Sequence, residues 1–229
     1  MTIPADLPGE LAGSTEARTP LTALLRDHRL GLLVLGGGLL SITVTWWEAD
    51  GLVLVRRQTS LSGTGFAALC TIAATVTVLC QIPATRVARR YSTGRLLFVG
   101  ALVQGLGLAG FALAGFGYPA LVAAVVLVSV GQMLYGPALS TFVTLHAPPG
   151  RRAMYQAGIS TTQDIGTALG PTTGLVLGQS SAPPLIWLLA LPLGAIAGGF
   201  GGLATRTKTA ERTGANPSPD IDEFEAVRR

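Results

Sequence analysis

The sequence predicts an all-α membrane protein with six transmembrane helices, on three observations. Residues of the AVILMFWYC set make up 49% of the 229 residues and charged residues only 12%, about half the charge of a soluble domain. Mean hydropathy is +0.52. The apolar residues fall into six windows free of Lys and Arg. About 20 mostly apolar residues, within a range of ~17–25, let a helix cross the ~30 Å hydrocarbon core. Helices are the natural form there, because each bonds its backbone groups within its own segment.

Residues 1–29 carry Asp6, Glu10 and Glu16 and lack the charged-then-apolar order of a signal peptide. They are expected to form a polar cytoplasmic tail. The six-span bundle is expected over residues 30–205, with spans at Leu30–Trp47, Gly65–Ile82, Leu96–Phe116, Ala120–Phe142, Ala153–Leu177 and Leu185–Leu203. Residues 206–229 close on NPSPDIDEFEAVRR and read as a disordered cytoplasmic tail.

Orientation follows from the cations. With both termini cytoplasmic, the inner segments hold all but two of the 16 Lys and Arg residues, the exceptions being Arg56 and Arg57. The positive-inside rule favours that arrangement. The sequence pI near 9.6 is thereby explained by loops beside anionic lipid, with no nucleic acid as partner. Trp46, Trp47, Tyr118 and Trp187 at outer ends, and Tyr91 and Tyr155 at inner ends, read as interfacial belts. Arginine far outnumbers lysine, which suggests a GC-rich bacterial genome and hence a bacterial plasma membrane.

Cys70 and Cys80 share one span, ~15 Å apart along a helix axis and too far to bridge. They read as small buried side chains. His28 and His146 stand alone. No metal-ligand spacing, nucleophile motif or phosphate-binding loop is present, so no cofactor is expected. An intramembrane enzyme would need a nucleophile–base pair or paired acids, and only one acid lies deep in a span.

Small residues recur every four positions at Gly166, Gly170, Gly174 and Gly178, and again at Ala190, Gly194, Gly198 and Gly202. Such stripes let helix backbones approach closely, which drives packing in lipid. Gly36–Gly38 and the glycines of the third span add to them. Pro137, Pro171 and Pro192 fall inside spans, where each removes a backbone donor.

Asp164 lies eleven residues past Ala153, about 17 Å into the membrane. Ser160, Thr161, Asp164 and Thr167 share one helical face, and Gly166 lies on the other. A carboxylate at that depth costs at least ~2.5 kcal/mol, so it is expected to face protein or a water-filled cavity. There it is a candidate proton carrier or cation site. Gln163, Gln132, Tyr135, Gln81 and Gln104 are candidates to line the same cavity. Glu48 and Asp50 fall at the outer mouth, where a solvated loop edge is the favoured reading; Glu48 is kept among the pathway candidates.

Three segments resemble the C-terminal half of a major facilitator superfamily transporter, closest to the drug:proton antiporters: LLRDHRLGLLVLGGGLL, CQIPATRVARRYSTGRLLFVGALVQGLGLAGFAL and GQMLYGPALSTFVTLHAPPGRRAMYQAGISTTQDIGTALGPTTGLVLG. Arg86, Arg89, Arg90, Gly94 and Arg95 are placed like that family's basic gating loop, with Thr85 where the stronger copy has an acid. Gly131, Gln132, Met133, Leu134 and Pro137 resemble its tenth span. Ala147, Pro148, Arg152 and Tyr155 resemble that span's exit, and Leu169, Gly170, Pro171 and Gly174 its eleventh. The resemblance covers roughly residues 20–205 and implies six of about twelve spans.

It further implies alternating access for small amphiphilic molecules, with proton-coupled efflux. Asp164, Gln163, Thr161, Gln132 and Tyr135 would line the cavity, with Arg86, Arg89, Arg90, Arg95, Arg151 and Arg152 as cytoplasmic gate and anchor. A separately encoded N-terminal half or a second copy of the chain would complete it. The alternatives are a non-transporting membrane scaffold or regulator, or a truncated transporter half.

Overall fold

The computed structural model describes residues 28–88, 90–147, 151–180 and 183–214, with side chains in the last helix described as far as Thr205. Expectations resting on the tail before His28, on Arg89 and Pro148, and on residues 215–229 lie outside the described residues, as do those on the side chains from Arg206 onward.

The described chain is helical throughout. α1 spans His28–Glu48, and a short α2 spans Gly51–Arg56. α3 covers Gly63–Ala88 and α4 Thr93–Gly110, continued by a 3-10 segment at Phe111–Phe116. α5 covers Tyr118–His146, α6 Arg152–Ser180 and α7 Pro183–Gly214. Local chemistry sets the breaks. Ser62 caps α3 by accepting from the Gly65 N–H at 3.0 Å. Gly117, at φ +98°, turns the chain into α5 in a conformation side chains disfavour, and Pro119 then stands in the first turn. The helix reaches Gly214, past residue 206 where the sequence reading begins its polar tail.

Among the described residues, five helices are long and apolar enough to cross a membrane: α1, α3, α4 with its 3-10 segment, α5 and α7. α6 has 29 residues, ~44 Å of helix, but its polar face keeps it below the same apolar threshold. The segment expected as the fifth span, Ala153–Leu177, is therefore a helix of sufficient length that is not apolar enough to count among the spans.

The helices pack in the order α3–α5–α4–α7–α1–α6. This places α3 and α6 at the two ends of the row. Only 6% of the α3 span is buried, against 56% for α1 and for α4. Thr71, Thr75 and Thr77 on that bare helix each donate to the carbonyl four residues back, at 2.8–3.0 Å. Exposed hydroxyls are thereby satisfied within the helix, as a lipid environment requires.

Glycine makes the contacts between helices. The α6 stripe lies on α1: a Cβ at Gly166 would sit 2.6 Å from the Gly38 carbonyl oxygen, and one at Gly170 would sit 2.5 Å from Thr45 Cβ. The α7 stripe lies on α4, where a Cβ at Gly194 would meet the Ala101 carbonyl at 2.8 Å. Gly202 faces open space, so this stripe ends one turn earlier than its sequence spacing suggests. On α5, Gly131 abuts the backbone of Gln104.

The aromatic residues depart from the expected belts. Trp46, Trp47 and Trp187 are 2%, 5% and 0% exposed. Trp47 and Trp187 form a row with Phe66 and Phe111, in which Trp47 stacks on Phe111 at 5.0 Å and Phe111 meets Trp187 at 4.9 Å, and Trp46 lies in the same core cluster. Large rings fill the core at this end, and edge and offset contacts between them add to area burial. Tyr155 is buried too, while Tyr91 and Tyr118 stay exposed. Cys70 is exposed on the bare helix rather than buried.

Gly131→Ala drives a methyl into the Gln104 backbone and is expected to destabilise the protein by ~1–3 kcal/mol. Gly202→Ala, with open space around it, is expected to leave stability unchanged or slightly raised. Thermal unfolding of the two variants in one detergent checks the contrast.

Candidate functional site

The glycine triplet of α1 is where three helices meet it most closely. Gly36 faces α7, with a would-be Cβ 3.0 Å from the Ala197 carbonyl oxygen. Gly38 faces α6, with Thr162 Cγ2 at 2.9 Å. Gly37 points between them at two polar side chains. A Cβ there would lie 3.7 Å from Gln163 Cγ and 3.9 Å from both Gln163 Nε2 and the Tyr135 hydroxyl. The missing side chain leaves a small space between an amide of α6 and a phenol of α5.

Tyr135 is 5% exposed, and its hydroxyl has no hydrogen-bond partner among the described residues. A buried donor without a partner costs ~1–3 kcal/mol. Such a group in a native fold calls for an explanation, and a site for a ligand acceptor is one. Gln163 is half-buried and can both donate and accept.

The structure thus brings Gln163 and Tyr135 together. Gln81 and Gln132 also meet, with Thr77 and Ser129, in a groove of about 210 Å³ between α3 and α5. Thr161 and Asp164 are exposed and Ser160 is half-exposed, along the α6 face that turns away from the glycine contact with α1. Gln163 lies where that polar face borders the interior.

Two predicted members lie elsewhere. Gln104 is 3% exposed and sits where α4 abuts Gly131 of α5. Its backbone lies in the α4–α5 packing interface. Glu48 is exposed at the α2 end of the bundle, ~15 Å along α1 from the triplet. Of the basic residues, Arg86, Arg90, Arg95, Arg151 and Arg152 are all exposed, and they share the end opposite α2. Arg56 and Arg57, the exceptions to the charge rule, are engaged with backbone. Arg56 Nε donates to the Leu61 carbonyl at 3.1 Å. Arg57 Nη1 donates to the Gly178 carbonyl at 2.6 Å, in the last turn of α6. A cation there satisfies a terminal carbonyl and complements the helix dipole.

Asp50 also departs from expectation. Read as a solvated loop edge, it is 6% exposed, with Oδ2 sealed and unpartnered. A signal was present in the sequence, in the four-residue register of Gly174 and Gly178 that seats the α1–α2 corner. It is visible only once α1 and α6 are known to pair. No group of three or more His, Cys, Asp or Glu residues suited to a metal occurs among the described residues.

Apolar helices held by backbone approach, with one polar helix face at a flank, define a multi-pass membrane protein of the transporter class. The chain belongs to the Major Facilitator Superfamily, whose family model matches residues 30–228. That is a family of transporters and not of enzymes. No curated protein matches the chain.

Tyr135→Phe removes an unpartnered hydroxyl and is expected to hold or raise stability, by up to about 1 kcal/mol. Chemical denaturation in detergent checks this; a loss of that size would mean that the hydroxyl has an internal partner.

Proposed function

We propose that the chain is a six-span transporter half that moves small amphiphilic molecules by alternating access, in proton-coupled efflux of the drug:proton antiporter type. A second half or a second copy of the chain completes the cavity. The half rocks against its partner, so that the cavity opens to each side in turn. The membrane is a bacterial plasma membrane with both termini cytoplasmic, an orientation supported by the exposed arginines at one end.

One observation carries this reading. α6 packs its glycine face on α1 and leaves the face with Thr161, Asp164 and Thr167 bare at the end of the helix row. A carboxylate left facing lipid at that depth is costly, so the face calls for a wet cavity or a second protein surface. α3, at the other end of the row, is bare as well. Two open flanks suit a half that meets its counterpart along both.

In this mechanism Asp164 takes and releases the coupling proton. Gln163 and Tyr135 supply neutral hydrogen bonds beside Gly37, Ser160 and Thr161 extend the polar face, and Gln81 and Gln132 line the opposing groove. A cationic amphiphile suits a cavity with one acid. Arg86, Arg89, Arg90, Arg95, Arg151 and Arg152 anchor and gate the cytoplasmic face.

Proteoliposomes that move a lipophilic cationic dye against an imposed proton gradient test the roles. Asp164→Asn is expected to lower proton-driven movement at least about tenfold, a loss of ~1.4 kcal/mol in the coupled step. Equal activity would remove the acid from coupling. Tyr135→Phe is expected to weaken apparent dye affinity by about 3–10-fold, the worth of one hydrogen bond, while the protein stays folded.

A further inference from the structure

We infer that Asp50 is a proton-binding site that latches the α1–α2 corner onto α6. Its Oδ2 lies over α6 at a position where glycine stands. A Cβ on Gly174 would fall 2.5 Å from Asp50 Oδ2 and 2.8 Å from Trp46 Cδ1. Any larger residue at position 174 would have to displace the carboxyl or the indole.

Contacts on either side clamp the corner around it. Trp46 Nε1 donates to Thr173 Oγ1 at 3.1 Å. Arg57 Nη1 donates to the Gly178 carbonyl at 2.6 Å. Leu54 packs on Gly178, and the Asp50 backbone carbonyl accepts from the Leu54 N–H at 2.9 Å. The bonded groups are all satisfied, whereas Oδ2 is sealed and unpartnered.

The charged and titratable groups around the corner leave it so. Glu48 is exposed, Arg56 is bonded to the Leu61 carbonyl, and Arg57 is bonded to Gly178. On α6, no titratable residue occurs from Ile165 to Ser180. The early turns of α3 carry only Cys70, and Tyr118 at the start of α5 donates to the Gly65 carbonyl. Burial is what acts on the acid, and it pushes the Asp50 carboxyl above its ordinary value of 3.8.

A carboxylate with one oxygen sealed and unpartnered is costly, and a neutral carboxyl less so. The closed corner therefore binds the proton more tightly than an open corner whose acid meets water. By linkage, the state that binds more protons loses ground as pH rises. The latch is closed at low pH and is released progressively above the ordinary carboxylate value. This holds whether or not the α6 face carries a substrate.

The test uses the full chain in lipid nanodiscs with Cys70→Ala and Cys80→Ala. Nitroxide labels are placed through Val53→Cys on α2 and Gln179→Cys on α6, both at exposed positions. Pulsed electron resonance then reads the distance between them from about pH 4.5 to about pH 8.5. The closed-to-open ratio is expected to fall at least about threefold across that range. Asp50→Asn, which cannot ionise, is expected to keep the short distance throughout, and Asp50→Ala is expected to lose the pH response. Distances that ignore pH with Asp50 in place would overturn the inference, as would an undiminished response in either variant.

Discussion

A helix in hydrocarbon gains nothing by burying leucine against a neighbour, because lipid is as apolar as leucine. What remains is dispersion between closely fitted surfaces, and the fit is closest where side chains are absent. This chain meets that constraint with glycine. Gly166 and Gly170 seat α6 on α1, Gly194 seats α7 on α4, and Gly131 seats α5 on α4. At each, the facing group is largely backbone or the first atoms of a side chain. The order of helices in the row follows from which stripes meet.

Polar groups are arranged around that frame. Threonines on the bare α3 bond to their own helix. The arginines outside the basic end are spent on carbonyls of Leu61 and Gly178. Among the described residues, three buried side-chain atoms remain unmatched: the Tyr135 hydroxyl, Asp50 Oδ2 and Trp187 Nε1. The first lies beside the glycine gap of α1, and the second lies under the corner where α1 meets α6.

Much of the helical frame was legible in the sequence, because span length and four-residue glycine spacing are local properties. The division of α6 into a glycine face and a face with Asp164 follows from helical geometry alone. What escaped depends on which helix meets which. Trp47 and Trp187 look like belt residues until both are seen to pack on Phe111 of the 3-10 segment, and Trp46 until its indole is seen to bond Thr173 of α6. Gln104 looks like a cavity residue until Gly131 closes on its backbone. Asp50 looks solvated until Gly174 is placed against it. The pairing of Gln163 with Tyr135 needed Gly37 to be the point of approach, which no spacing within one helix reveals.

The central claim is that α6 turns a wet polar face away from α1 while its glycine face is sealed. Cysteine accessibility in intact membranes tests it most directly. In a Cys70→Ala, Cys80→Ala background, single cysteines run from Ser160 to Leu169, and a small, charged, membrane-impermeant thiol reagent is applied from each side. The account predicts labelling that peaks at Thr161→Cys, Asp164→Cys and Thr167→Cys and falls to background at Gly166→Cys. Uniform protection along the helix would place that face in lipid and contradict it.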